Sequence, residues 1–140
     1  MSHTPDRTPS PRTMFRAKVH RIRVTECDVE YEGSLTLDAG LMEAADMVPY
    51  ERIEVYDIDN GNRFATYLIE GERDSGRCCV NGAAARLVGQ GDRLILATYT
   101  TVVADSEALR GYEPRIVVVD AENRIKTVKG AERAGARVGS

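Results

Sequence analysis

The apolar and polar positions along the chain predict a domain built mainly from short strands. Apolar residues alternate with polar ones over residues 15–19, and the alternation resumes in the opposite phase at Ile22 and Val24. A change of phase within one alternating run indicates a bulge or bend, which we place near His20 and Arg21. We therefore predict one long, bent first strand over residues 15–25.

The rest of the pattern predicts further strands joined by tight turns and short helices. Asp38 is suited to cap a helix over residues 39–46, and Asn60-Gly61 favours a hairpin turn because both residues tolerate positive φ. The most apolar strand is predicted over residues 93–103, and a polar connection over 26–33. Other strands are predicted at 34–37, 52–58, 63–69, 78–80, 115–119 and after 123, with brief helical segments at 83–87 and 106–110. Many short strands with few helices favour a small closed β-barrel.

The chain is expected to form one domain with two terminal extensions. Its 140 residues suffice for a single hydrophobic core. Residues 1–13 are rich in Pro, Ser, Thr and charge, which predicts a disordered N-terminal extension, and residues 129–140 predict a flexible C-terminal tail. The folded domain is therefore expected over residues 14–128.

Composition excludes several classes of function. A net charge of −3 and a pI of about 5.5 provide no basic field for nucleic acid or anionic lipid. The apolar runs are too short to span a bilayer, and the N-terminus lacks the apolar stretch of a secretion signal, so we expect a cytoplasmic protein. Cys27, Cys78 and Cys79 fit neither a disulfide framework nor a zinc site, and no metal is expected.

The dipeptide Gly33-Ser34 is the first candidate for chemistry. Such a pair usually marks a flexible turn. Glycine also leaves its carbonyl open to attack, so the Ser34 hydroxyl can attack the Gly33 carbonyl and move the acyl chain from nitrogen to oxygen. Elimination of that ester, followed by hydrolysis, would leave a pyruvoyl group where Ser34 had been.

Four segments, in order along the chain, carry a resemblance to one enzyme family. They are Tyr31-Glu32-Gly33-Ser34, which matches a self-cleavage motif, and residues 17–25, 60–67 and 80–85. Over residues 14–128 the chain resembles the pyruvoyl-dependent aspartate 1-decarboxylases. The resemblance implies a double-psi β-barrel assembled as a homotetramer, with active sites between neighbouring subunits.

The same resemblance implies a reaction and a cofactor. The expected cofactor is a covalent pyruvoyl group derived from Ser34 by cleavage between Gly33 and Ser34. L-Aspartate would form an imine with this group, lose CO₂ and leave as β-alanine, which supplies pantothenate and coenzyme A biosynthesis. Whether cleavage is spontaneous or requires a maturation factor stays open.

The resemblance also assigns roles to residues that have ordinary structural explanations. Arg63 would bind a substrate carboxylate, with Lys18 adding positive charge, although either could be a solvated strand residue. Tyr67 would return a proton to the carbanion, and Thr66 would polarise the Gly33 carbonyl and line the substrate site; otherwise they are packing residues of a strand. The remaining predicted substrate-binding residues, which otherwise form a turn and helix cap, are Asn81, Gly82, Ala83 and Ala84.

Two other functions remain compatible with the sequence. A β-barrel binding module would keep its chain intact, because a fold alone does not determine activity. A pyruvoyl enzyme acting on another amino acid is the second alternative. Arg63 favours an acidic substrate over that alternative, because a second carboxylate needs a cation.

Overall fold

The computed structural model describes residues 7–135 and contains nine strands, one α-helix and two short 3₁₀ helices within that range. The first elements are β1 (Ser10–Arg23), β2 (Glu26–Asp28), β3 (Ser34–Asp38), α1 (Ala39–Ala44), β4 (Arg52–Asp57) and β5 (Arg63–Gly71). They are followed by β6 (Cys78–Asn81), the first 3₁₀ helix (Gly82–Arg86), β7 (Arg93–Ala104), the second 3₁₀ helix (Ala108–Gly111), β8 (Arg115–Val119) and β9 (Ile125–Lys129).

The strands form one sheet in the order β2-β6-β3-β5-β4-β7-β1-β8-β9. Buried apolar side chains from most of its strands meet in a single cluster that includes Val19, Leu37, Ile53, Leu68 and Leu96. A sheet that surrounds one core in this way is barrel-like, which confirms the predicted mainly β fold class. The neighbours β1–β8, β2–β6 and β3–β5 run parallel. Parallel neighbours require crossover connections, as the predicted double-psi barrel has.

The predicted bend in β1 is confirmed. The pairing of β1 with β7 shifts register between His20 and Ile22, and Arg21 has a φ of 72°. An extra residue at a bulge changes which face the following side chains occupy. Val19 and Ile22 therefore both reach the core, and each is fully buried.

The ends of the domain differ from the prediction. Residues 10–13 belong to β1 and pair with residues 101–104 of β7, so the predicted disorder is wrong for these four positions. Backbone pairing holds them, although their side chains are largely exposed, and composition carries no signal for such pairing. Residues 1–6 and 136–140 lie outside the described residues. β9 ends at Lys129, and the flexibility of the tail beyond it stays a prediction.

The helix cap is confirmed, but the helix is shorter than predicted. The Asp38 carboxylate accepts a hydrogen bond from the Gly40 backbone N–H at 2.7 Å, at the start of α1. Asp38 also accepts one from Gly76 N–H at 2.8 Å, which ties the loop before β6 to the end of β3. The backbone leaves the helical path by Asp46, whose φ is 56°.

Two features of the fold position the residues of the predicted site. β3 begins at Ser34 and lies between β5 and β6, so the predicted cleavage position has a strand on either side. The hairpin joining β4 to β5 is held to the segment after the first 3₁₀ helix, because the side-chain amides of Asn60 and Asn62 both donate to the Leu87 carbonyl, at 3.0 and 2.8 Å.

The strand β2, which lies within the predicted polar connection, was not predicted. No helix within residues 7–135 has the length and apolar character needed to cross a membrane.

Candidate active site

Ser34 is the first residue of β3 and is buried, with 4% of its surface exposed. The structure describes the uncleaved chain, in which Gly33 is joined to Ser34. Antiparallel pairing of β3 with β6 sets Ser34 opposite Asn81. The Ser34 hydroxyl donates to the Glu32 carbonyl at 3.4 Å and accepts from Asn81 Nδ2 at 3.3 Å. The nucleophile predicted for chain cleavage is therefore held on both sides.

Asn81 is the centre of a small polar network. Its Nδ2 also donates to Thr36 Oγ1 at 3.3 Å, and its Oδ1 accepts a hydrogen bond from the Cys79 thiol at 3.0 Å. Burial raises the pKa of the Cys79 thiol, so the group stays protonated and able to donate. Both Cys79 and Asn81 are buried, and buried polar groups are costly unless they are paired.

Cys79 has a different environment from the two residues that flank it in β6. Cys78 and Val80 belong to the hydrophobic core cluster, whereas Cys79 contacts Asn81. Successive residues of a strand face opposite sides, so Cys79 and Asn81 share the face that Cys78 does not occupy. The spacing of Cys79 and Asn81 is the one signal in the sequence that points to their contact.

Gly82 packs directly against the predicted cleavage loop. It has a φ of 66°, and a Cβ built on it would lie 2.6 Å from Gly33 Cα and 3.2 Å from the Tyr31 carbonyl oxygen. A side chain at position 82 would therefore displace the loop. On the other side of the loop, the corresponding direction from Gly33 is open, with nothing within 4 Å. Gly82, expected at the substrate, thus lies against Gly33 itself.

Thr66 and Tyr67 lie near the start of β3. The parallel register of β3 and β5 pairs Leu35 with Leu68, so the two residues before Leu68 approach the Gly33-Ser34 end of β3. Tyr67 is 38% exposed, and its ring centroid lies 6.1 Å from that of Tyr50. Its phenol is therefore accessible from outside the barrel.

Among residues 7–135, no hydrogen bond or ion pair joins Lys18 or Arg63 to Ser34. Arg63 begins β5 and its guanidinium lies 4.3 Å from the centroid of the Tyr56 ring. Lys18 lies on β1, which β5, β4 and β7 separate from β3 in the sheet. Its ammonium group pairs with Glu132 at 2.9 Å. Ala83 and Ala84 follow Gly82 in the first 3₁₀ helix and stay close to Asn81.

His20 lies two residues from Lys18 on the same strand. Burial, together with the positive charges of Lys18 and Arg21, lowers the pKa of His20 to about 4, so the imidazole is neutral at pH 7. Its Nδ1 is buried and has no hydrogen-bond partner among residues 7–135. The sequence analysis did not include His20 among the site residues.

Three carboxylates, those of Asp57, Asp59 and Asp92, approach within 4.8 Å of one another beside the β4–β5 hairpin. The Arg93 guanidinium binds Asp59 at 2.6 Å and neutralises part of the negative charge. Asp57 Oδ1 accepts from the backbone N–H groups of Asp59 and Asn60 and so supports the hairpin turn. This cluster stabilises the hairpin that carries Arg63.

The chain is similar to known proteins over most of its length. A family model described as aspartate decarboxylase matches residues 11–126. The chain is 52% identical over 115 residues to the aspartate 1-decarboxylase of Syntrophus aciditrophicus, which covers 82% of this chain and 97% of that protein. It is 47% identical over 123 residues to the aspartate 1-decarboxylase of Acetivibrio thermocellus, covering 88% and 96% of the two chains. The corresponding enzyme of Cupriavidus necator is 48% identical, with 84% and 97% covered.

The range matched by the family model includes the buried Ser34, its partner Asn81 and the glycine packed against Gly33. The chain belongs to the aspartate decarboxylase family.

Proposed function

We propose that the protein converts L-aspartate to β-alanine and CO₂ by means of a pyruvoyl group that it makes from Ser34. The observation that carries the proposal is the buried Ser34 hydroxyl, held between Asn81 and the Glu32 carbonyl beside Gly33. Membership of the aspartate decarboxylase family supports the substrate. The β-alanine formed would supply pantothenate and coenzyme A biosynthesis.

The first step is an acyl shift at the Gly33-Ser34 peptide. Ser34 Oγ forms a bond to the Gly33 carbonyl carbon, the peptide C–N bond breaks, and the hydroxyl proton passes to the nitrogen of Ser34. Asn81 occupies one of the two lone pairs of Oγ, and the proton points to the Glu32 carbonyl. The second lone pair is therefore left to attack. Thr66, close to the start of β3, would polarise the Gly33 carbonyl.

The second step releases the new chain end. Loss of the Cα proton of residue 34 and cleavage of its Cβ–Oγ bond leave Gly33 as a carboxylate, and water then replaces the nitrogen of residue 34, which departs as ammonia. The oxygen that leaves with Gly33 is the one that Asn81 Nδ2 already contacts. A hydrogen bond strengthens as its acceptor becomes charged, so Asn81 favours this step.

The ketone left at position 34 supplies an electron sink for loss of CO₂ from the substrate. A ketone fits there because residue 34 is buried and has the Asn81 amide as a hydrogen-bond donor. Tyr67 is the proposed proton donor to the substrate carbon after CO₂ leaves, and its exposed phenol supports that role. Asn81 and the backbone of residues 82–84 would contact a substrate carboxylate at the same end of β6.

We further propose that the active site is completed between subunits of a homotetramer. Arg63 and Lys18 are the cations best suited to the two substrate carboxylates. Among residues 7–135, however, Arg63 lies over the Tyr56 ring and Lys18 pairs with Glu132, and neither is hydrogen-bonded to Ser34. Exposed tyrosines beside the site, Tyr50 and Tyr67, offer apolar surface for a neighbouring subunit. Lys18 would exchange the Glu132 carboxylate for that of the substrate.

Self-cleavage is tested by intact-protein mass spectrometry together with assay of β-alanine and CO₂ from L-aspartate. We expect fragments 1–33 and 34–140 from the wild type, with a pyruvoyl mass at residue 34, and an intact, inactive chain from Ser34→Ala. Ser75→Ala is the matched control because its hydroxyl lies in an exposed turn. A wild-type chain that stays whole even with lysate from the source cells, as a binding module would, contradicts the proposal.

Substitution of Gly82 tests the contact with the cleavage loop. Gly82→Ala is expected to slow cleavage roughly 100-fold, because its Cβ forces Gly33 out of position and small misplacements are costly in such reactions. The measurement is the rate at which fragment 1–33 appears. Gly91→Ala is the control, since Gly91 has a φ of 88° but nothing within 4 Å of an added Cβ. Equal slowing in both variants would refute a specific role for the Gly82 contact.

Removal of one hydroxyl group tests the proposed proton donor. Tyr67→Phe is expected to lower kcat roughly 100-fold or more, the usual contribution of a general acid, and to leave cleavage of the chain unchanged. Tyr50 is a neighbouring residue that is 75% exposed, and Tyr50→Phe is expected to retain wild-type kcat. Steady-state kinetics on fully cleaved enzyme provides the comparison, and an unchanged kcat in Tyr67→Phe would exclude this role.

A further inference from the structure

The amide of Asn81 lies between two kinds of partner. On one side Oδ1 accepts from the Cys79 thiol at 3.0 Å. On the other side Nδ2 donates to Ser34 Oγ and Thr36 Oγ1, each at 3.3 Å. A side-chain amide has one accepting end and one donating end, so the partners decide which end faces Ser34.

Ser34 and Thr36 do not favour either orientation of the Asn81 amide. A hydroxyl group both donates and accepts, so either end of the amide would satisfy both residues. The Cys79 thiol differs because it is a donor to the amide oxygen and only a weak acceptor for the amide nitrogen. Among these three neighbours, Cys79 is the one that favours a single orientation of Asn81.

The orientation has chemical consequences at Ser34. With Nδ2 towards Ser34, the hydroxyl proton is directed to the Glu32 carbonyl and Oγ keeps one lone pair for attack. With Oδ1 towards Ser34, the amide oxygen would compete for that proton. No donor from Asn81 would then meet the carboxylate that forms on Gly33. The orientation seen here is thus the one that assists both steps of cleavage.

Because Cys78 and Cys79 are adjacent and both buried, the effect of Cys79 on Asn81 can be measured separately from the effect of lost packing. Both are fully buried, but Cys78 packs within the hydrophobic core, whereas Cys79 contacts Asn81. Burial raises the pKa of both thiols, so neither is ionised at neutral pH. Replacing either cysteine by alanine removes a similar volume. Only the replacement of Cys79 also removes a hydrogen-bond partner of Asn81.

We propose that Cys79 is a positioning residue for self-cleavage, whose thiol holds the Asn81 amide with its nitrogen towards Ser34. The inference rests on the proposed formation of the pyruvoyl group from Ser34. It assigns Cys79 no contact with the reacting atoms, so its effect should appear in the rate of cleavage through Asn81.

The test compares donor and non-donor side chains at position 79. The chain is made by brief cell-free synthesis at low temperature and then warmed, with and without lysate from the source cells, and fragment 1–33 is followed by mass spectrometry. Cys79→Ala and the volume-filling Cys79→Val are expected to cleave about fivefold more slowly, as suits the loss of one weak buried hydrogen bond. Cys79→Ser, which keeps a donor, is expected to stay within about twofold of wild type.

Cys78→Ala is the matched control for lost core volume. It is expected to lower Tm but not the rate of cleavage, because Cys78 packs in the hydrophobic core on the opposite face of β6 from Asn81. Wild-type rates in both Cys79→Ala and Cys79→Val would overturn the role of Cys79, as would equal slowing in Cys79→Ser or Cys78→Ala. A wild-type chain that never cleaves would instead overturn the proposed function itself.

Discussion

The pairing of β3 with β6 is the constraint on which the site depends. It sets Ser34 opposite Asn81 and buries both, so their polar groups have to find partners inside the protein. Ser34 meets this requirement through Asn81 and the Glu32 carbonyl, and Asn81 meets it through Cys79 and Thr36. The requirement to satisfy buried polar groups therefore also orients the hydroxyl that the proposed cleavage uses.

The same pairing brings the end of β6 against the loop before β3. Gly82 follows Asn81 directly, and its lack of a side chain lets Gly33 lie within contact distance. A left-handed φ at Gly82 adds a second reason for glycine, because other residues adopt that conformation at a cost. One glycine thus serves both the turn into the 3₁₀ helix and the position of the loop that precedes Ser34.

The cationic residues Lys18 and Arg63 are positioned differently from the residues of the proposed cleavage site. Adjacent strands bring Ser34, Asn81 and Gly82 together within one chain, so the arrangement proposed for cleavage needs no second subunit. Lys18 and Arg63 have other partners within the chain, namely Glu132 and the Tyr56 ring. Under the proposed function, chain cleavage thus needs the residues of one subunit, whereas substrate binding needs the assembled tetramer.

Local patterns predicted much of the fold. The phase change at His20 and Arg21 predicted the bulge, and Asp38 predicted the helix cap, because each depends on neighbours in sequence. Residues 10–13 were assigned to a disordered segment because their order comes from backbone pairing with β7. The contact of Lys18 with Glu132 also joins distant parts of the chain, and no local pattern encodes it.

The candidate site, like the fold, could be predicted only in part. The Gly33-Ser34 motif and Asn81 could be identified from their resemblance to a family. The proposed role of Cys79 could not be predicted, because every residue of β6 is buried and the sequence then shows no contrast between the two faces of the strand. Only the partners of each side chain, Asn81 for Cys79 and the core for Cys78, distinguish them.

The central claim is that the substrate amine reacts at residue 34, and reductive trapping tests it most directly. Purified enzyme is mixed with ¹⁴C-labelled L-aspartate, reduced with borohydride, digested and mapped by mass spectrometry. The account predicts label on residue 34, at the N-terminus of fragment 34–140. Label on Lys18, Lys126 or Lys129, the lysines of the chain, would contradict it, as would an enzyme that forms β-alanine with no trapped label.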